Sequence, residues 1–407
     1  MRKSGVIIAG ALAMLLATPV LSQGFSGLAR VLPDEAAMTD TRRGARIDLP
    51  LSQGVPYRVF TLDDPARLVM DFQEVDWSGL QADNFDRSER LGPVHFGAYV
   101  PGWSRLVTTM SEPMVVETAD LRVDDVTGEA RLILDLQPVS AEDFATQSGA
   151  PHDARWDLPA VADVPERAAR PDDAPLIVML DPGHGGIDPG AEQGEIVEKD
   201  LMLTFARELR EVMLRSGGFE VVLTRDGDHF VSLERRVALA HQSQADVFIS
   251  LHADSLSEGL AHGATVHILS EDASDIASEK LAERHDRGDL LSGVDLSDTD
   301  DAVTGILLDL ARTETRPRTE QLAGELVNAM AQTGGPMNRR PLRSAAFSVL
   351  KSADIPSVLI EIGFLSSPRD FKNLTDPAWR LTMAEAIRNG LLTWKAADDA
   401  RRPLVRQ

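Results

Sequence analysis

Two kinds of hydrophobic patterning divide the chain. Between residues 28 and 140, apolar and polar positions alternate through Tyr57-Arg58-Val59-Phe60, Arg67-Leu68-Val69-Met70-Asp71-Phe72, Ser104-Arg105-Leu106-Val107-Thr108 and Arg131-Leu132-Ile133-Leu134-Asp135-Leu136. Turn residues separate these runs at Asp63-Asp64-Pro65, Pro101-Gly102 and Thr127-Gly128. A period of two with breaks at this spacing predicts a small all-β sandwich with one wet face per sheet. From Leu176 onward, continuous apolar runs alternate with amphipathic stretches, which predicts an α/β domain with a mostly parallel twisted sheet flanked by helices. The strands expected are Leu176 to Leu180, Glu220 to Thr224, Asp246 to Leu251, Ala264 to Leu269 and Ser357 to Ile362. The helix after the first strand places Leu201, Phe205, Leu209 and Val212 on one face and stops at Gly217-Gly218.

Between the two patterns, residues 146–175 carry Pro151, Pro159, Pro165, Pro171 and Pro175, and read as a stiff extended linker. At the N-terminus, Arg2 and Lys3 precede an apolar run from Val6 to Ala17, with Pro19 and small or polar residues after it. This reads as an export signal over residues 1–23, too short to span a bilayer comfortably; an uncleaved anchor is the other reading. No other segment reads as a membrane span, so none is expected in the mature form. The 407 residues suit two domains, and a net charge of -23 argues against nucleic-acid binding. There are no cysteines, so any metal must be held by histidine and carboxylate.

The candidate chemistry falls at predicted strand ends. His184 stands on the glycine turn Asp181-Pro182-Gly183-His184-Gly185-Gly186, His252 follows Asp246 to Leu251, and Glu361 interrupts the last apolar strand. Glu198 precedes a helix expected to start near Asp200, which can bring it over the same edge. Ligands of open α/β sheets bind at the carboxyl ends of the strands. Two histidines and a carboxylate around an open position make a catalytic zinc set. Each residue also has a plainer role open to it: a structural histidine, a surface glutamate, or a buried ion pair at Glu361. The conjunction points to a metal-dependent hydrolase.

These segments, with Glu198-Lys199-Asp200, Leu223-Thr224-Arg225, Ser250-Leu251-His252-Ala253-Asp254 and Glu361-Ile362-Gly363-Phe364-Leu365, resemble the signature of the zinc-dependent N-acetylmuramoyl-L-alanine amidases of the cell-division type. The resemblance covers about residues 176–396. Residues 28–145, with Asp64-Pro65-Ala66-Arg67-Leu68-Val69-Met70-Asp71, resemble the AMIN domain that precedes such amidases in Gram-negative bacteria. The resemblance implies one zinc ion on His184, Glu198 and His252, with Glu361 as catalytic acid/base. It implies hydrolysis of the amide between the lactyl group of N-acetylmuramic acid and the L-alanine of the peptidoglycan stem, for septum splitting. It also implies a wall-targeting role for the sandwich and a periplasmic location.

Between the strand ending near Leu269 and Pro341 there is more chain than one crossover needs, with an insertion at about 271–315 of which residues 271–301 are acidic. They read as a solvated insertion or, from the resemblance, as a regulatory helix lying over the site. On the second reading Glu283 would plug the open zinc position, with Glu279 as second choice, until a LytM-domain activator protein withdraws it. The apolar positions between 290 and 310 would then meet the activator or the blocked cleft. Another zinc peptidase or deacetylase of the cell wall, and a non-catalytic wall-binding protein, are the competing functions.

Overall fold

A computed structural model describes residues 29–405 apart from 74, 101, 125–126, 152–173, 256–261, 271, 288–301 and 353. The expected export signal and most of the expected linker lie outside the described residues. So do the side chains of the expected apolar positions at 290–310. Among the described residues, no helix is long and apolar enough to cross a membrane.

The N-terminal part is a sandwich of two sheets. Strands β1 (Ala37–Asp40), β2 (Ala45–Leu51), β3 (Tyr57–Leu62), β4 (Arg67–Gln73), β5 (Asp86–Arg87), β6 (Leu91–Val100), β7 (Trp103–Met110), β8 (Met114–Val123) and β9 (Ala130–Pro138) follow one another along the chain. One sheet runs β8-β9-β2-β1-β5 and the other β3-β4-β7-β6. Alternation does the packing: Leu68, Met70 and Phe72 of β4 point inward against Ile47, Leu49, Leu132 and Leu134 of the opposite sheet. The short helix α1 (Ala141–Gln147) follows, capped by the Ser140 hydroxyl, which accepts from the Asp143 N–H.

The expectation of one wet face per sheet fails for the β3-β4-β7-β6 sheet. Phe60, Leu62, Val69, Tyr99 and Val107 make its outer face apolar, and they form one buried cluster with Ile187 and Phe230 of the second domain. The polar residues that suggested a wet face, Arg58, Asp71 and Arg105, are ion-paired with one another there.

The second domain is built on a six-stranded sheet: β10 (Leu176–Pro182), β11 (Phe219–Leu223), β12 (Val247–His252), β13 (Ala264–Leu269), β14 (Met337–Ala345) and β15 (Ser357–Glu361). Its order is β11-β10-β12-β15-β13-β14. All neighbours are parallel except β13 against β15. The continuous apolar runs are explained by burial on both faces. Leu176, Val178 and Leu180 face helices α2 (Glu198–Ser216), α5 (Ala302–Ala329) and α7 (Pro377–Val405). Ile177 and Met179 face α3 (Leu233–Gln242) and α4 (Ile276–Arg287). Helix α2 buries Leu201, Met202, Phe205, Ala206, Leu209 and Met213, and stops at Gly217, whose φ is 73°. It begins at Glu198 rather than near Asp200, so Glu198 lies in the first helical turn. Helix α6 (Pro368–Leu374) follows β15.

Candidate metal centre

Register alone brings two of the candidates together, because His252 at the end of β12 is paired with Glu361 at the end of β15. His184 arrives from the turn after β10, the neighbour of β12 on the other side. Its backbone is left-handed, with φ 61°, an uncommon state for a residue with a side chain. Cationic side chains hold that turn. Arg236 donates to the carbonyls of Pro182 and His184, and Arg225 to those of Pro182 and Gly183. Beneath them Asp181 is closed on all sides by Thr224, Ser250 and Arg236. Two glycines allow the rings to approach the backbone. A Cβ on Gly183 would lie 2.2 Å from the His252 ring, and one on Gly190 would lie 2.6 Å from the His184 ring.

Glu198 is completely buried and doubly anchored: Oε2 accepts from the Ala191 N–H at 2.8 Å, and Oε1 from the Ala253 N–H at 2.9 Å. The same Oε1 stands 3.2 Å from His252 Nδ1 and 3.3 Å from His184 Nε2. Asp188 Oδ2 lies 2.8 Å from His184 Nδ1, which fixes the ring and leaves Nε2 facing the centre. Glu361 uses Oε2 to accept from the Asp254 N–H at 3.0 Å, and its Oε1 has no hydrogen-bonding partner.

One member of the cluster was not among the sequence candidates. His285, on α4, stacks its ring 4.0 Å from that of His252, and its Nε2 lies 3.7 Å from Glu361 Oε1 and from Asp254 Oδ2. His184, His252 and His285 each offer a ligand atom, all within 4.8 Å of one another. Glu283 and Glu279, the residues expected to plug the site, are exposed. The reason is helical phase. Ser278, Leu281, Ala282 and His285 form the buried stripe of α4, and the two glutamates lie off it. Positions 281 and 282 are apolar, so the stripe was readable, and His285 lies one turn beyond Leu281 on it. Helix α4 is pinned at the site by Arg284, which bonds Asp254 at 2.6 Å, and by Asp286, which accepts from the Ser348 N–H and hydroxyl.

Electrostatically the cluster is divided. Burial would push the His184 imidazole down, but the carboxylates of Asp188 and Glu198 hold it well above its ordinary value. His252 is pushed down to about 3, by burial first and then by the His285 ring. Glu198 is held well below the carboxylate range against its burial, chiefly by His184. Glu361 moves the opposite way, well above that range, through burial and then the nearby charges of Glu198 and Asp254.

The fit to a metal is tested by the unpartnered atoms. Buried polar groups ordinarily find partners. Among the described residues, more than half of the buried side-chain polar atoms without one belong to His184, Asp254, His285 and Glu361. Imidazole nitrogens and carboxylate oxygens converging in a buried site suit a divalent cation such as zinc. The adjoining cavity is lined by His184, Asp188, Phe230, His252, His285 and Val349 among others.

Residues 178–393 match the N-acetylmuramoyl-L-alanine amidase family (Amidase_3), and residues 37–136 match the AMIN domain. The N-acetylmuramoyl-L-alanine amidase AmiC of Escherichia coli O6:H1 is 30% identical over 86% of this chain and 86% of its own length. AmiC of Neisseria meningitidis serogroup B is 32% identical over 85% of this chain and 86% of its own. AmiA of Salmonella typhimurium is 39% identical over 54% of this chain and 75% of its own. The chain belongs to the family of N-acetylmuramoyl-L-alanine amidases, with an AMIN domain ahead of its amidase domain.

Proposed function

We propose that this chain hydrolyses the amide joining the lactyl group of N-acetylmuramic acid to the L-alanine of the peptidoglycan stem, with one zinc ion held by His184, Glu198 and His252. The observation that carries this reading is Glu361. A carboxyl group is buried at a strand end beside two histidines and a glutamate, with one oxygen bonded and the other open to the centre. Zinc, when bound, supplies a Lewis acid for the amide carbonyl and lowers the pKa of water.

The rest is the work of the chain's own groups. The Asp254 N–H fixes the Glu361 carboxyl through Oε2, so Oε1 is the atom that takes the proton of the attacking water. Burial and neighbouring negative charge favour the protonated form, the direction needed to hold that proton and return it to the departing alanine nitrogen. Asp188 keeps His184 Nε2 aimed at the centre, and the two backbone N–H groups on Glu198 keep its carboxylate in place.

The same structure supports an inhibited resting state. The Nε2 atom of His285 stands where it faces Glu361, Asp254 and the other two histidines, and α4 covers the site through Arg284. We read His285, rather than a glutamate of the insertion, as the side chain that would help to hold the metal in the resting state. An activator of the LytM-domain type would withdraw α4. Residues 28–145 would then direct the enzyme to the wall, residues 176–396 would do the chemistry, and residues 1–23 would export the chain to the periplasm for septum splitting.

The test is a digest of purified peptidoglycan by the full-length protein with and without EDTA, read by mass analysis. Free stem peptides beginning at alanine, released from intact glycan and abolished by EDTA, are expected. Shortened peptides or deacetylated sugars would point to another wall hydrolase, and zinc-independent release would overturn the metal reading.

A further inference from the structure

The sandwich does more in this fold than stand beside the amidase domain. Its β3-β4-β7-β6 sheet has an apolar outer face, and the part of the amidase domain that covers it is the turn carrying His184 and Asp188. Ile187, between Asp188 and the glycine turn, is 1% exposed and packs into the sandwich cluster. Its N–H donates to the carbonyl of Ala98 on β6 at 3.0 Å. The seam is backbone against backbone: a Cβ on Gly186 would lie 1.9 Å from the Ala98 oxygen, and Gly186 itself has φ 58°. No residue with a side chain fits that approach without moving the two domains apart.

A second contact reaches the centre from another element. Phe230 stacks on Tyr99 of β6, with ring centroids 5.8 Å apart and planes 20° apart. Phe230 also lines the cavity shared by His184, His252 and His285. Tyr99 is held from behind by Arg105, whose guanidinium lies 3.6 Å from the ring centroid and is paired with Asp71. His95 is on the same face of β6, near enough for the Asp188 carboxylate to oppose the downward push of burial on its imidazole. The chain of contacts therefore runs from the closed Asp71–Arg105 pair through Tyr99 and Phe230 to the wall of the site. A parallel branch runs from Ala98 through Ile187 to Asp188 and His184.

We propose that the sandwich is a positioning element of the metal centre: β6, through Tyr99 and Ala98, clamps the 184–188 turn and Phe230, and so sets the Asp188 carboxylate and the His184 ring. The consequence is a dependence of metal retention and turnover on residues of the N-terminal domain that touch neither metal nor substrate. Outer-shell partners that orient a ligating histidine commonly change metal affinity or activity by roughly 10–100-fold when removed. This inference rests on the zinc reading above.

The test uses the full-length chain and four variants: Tyr99→Ala, Phe230→Ala, the double variant and Tyr99→Phe. Zinc release into a chelator, kcat and KM on a soluble muropeptide, and hydrogen exchange of the Ile187 amide are measured. Tyr99→Ala and Phe230→Ala should each speed zinc release and lower kcat by roughly tenfold, with KM little changed. The double variant should be no worse than either single, because the two rings act as one contact. Tyr99→Phe, which keeps the stack, should behave as the parent. The Ile187 amide should lose protection while amides inside β10 keep theirs. Parental zinc release and parental Ile187 protection in both alanine variants, or a double variant that is simply additive, would overturn the proposal. If instead the parent binds no zinc, the metal reading fails, and Ile187 protection still decides whether the clamp exists.

Discussion

The sandwich and the amidase domain each bury a cluster of charged side chains, and the two clusters close differently. In the sandwich, Asp71 accepts from Arg105 at 2.5 and 2.9 Å and from Arg58 at 2.8 Å, so both of its oxygens are bonded to guanidinium. In the amidase domain, Glu361 Oε1, Asp254 Oδ2, His184 Nε2 and both ring nitrogens of His285 are buried with no hydrogen-bonding partner among the described residues. Burial costs both sets their hydration. The sandwich set recovers it through complete pairing, which marks a structural network. The amidase set does not recover it among the described residues, which marks a place built for a bound group. Asp181 sharpens the contrast, since it lies directly beneath the open cluster yet is closed by Thr224, Ser250 and Arg236.

Breaking each cluster should therefore have opposite signatures. Glu361→Gln should lower turnover by about 10²–10⁴-fold, the range of a general acid/base. Its unfolding free energy should be no lower than the parent's, because the open oxygen has no bond to lose; denaturant titration beside a muropeptide assay checks both. Asp71→Ala should do the reverse. It leaves Arg105 buried and Arg58 half-buried without their counter-ion and should cost about 3–5 kcal/mol of stability in denaturant titration. A smaller effect is expected at the helix that covers the centre. His285→Ala should raise basal turnover on the order of tenfold, the scale of coupling in molecular switches, while weakening zinc binding. Lower turnover with unchanged zinc binding would place His285 outside the resting ligand set.

The mildest contrast concerns pH. His267 is buried on β13, with Nε2 3.0 Å from the Thr265 hydroxyl, and burial pushes its imidazole down to about 3. Below the ordinary histidine value near 6.5, the unfolded chain takes up a proton that the folded chain refuses. Stability should thus fall as pH drops from about 6.5 toward 3. His267→Gln, which keeps a partner for Thr265, should make that fall shallower in thermal unfolding curves, and an unchanged slope would contradict the buried neutral imidazole.

The legible parts of the molecule were those whose signal is local. Leu176 to Leu180 reads as a strand because it is buried on both faces, and Gly183 to Gly186 reads as a turn because the backbone takes positive φ at His184, Gly185 and Gly186. The conjunction of His184, Glu198, His252 and Glu361 was readable because strand ends share one edge. What was not legible depends on distant partners. His285 stands among acidic residues in sequence, and only the phase of α4 decides which side chain turns inward. The outer face of the β3-β4-β7-β6 sheet was misread as wet because Arg58, Asp71 and Arg105 are polar in sequence. Their closure on one another, and the cover given by Ile187 and Phe230, come from parts of the chain that no local pattern connects.

The central claim is that the open cluster is completed by a metal. The most direct measurement is the thermal unfolding of chelator-stripped full-length protein with and without added zinc, together with metal content, in the parent and in His252→Ala. One zinc per parent chain is expected, with a rise in unfolding temperature equivalent to about 2.7 kcal/mol when free zinc is a hundred times Kd. The rise should be absent in His252→Ala. A parent that unfolds at the same temperature with and without zinc, and holds none, would contradict it.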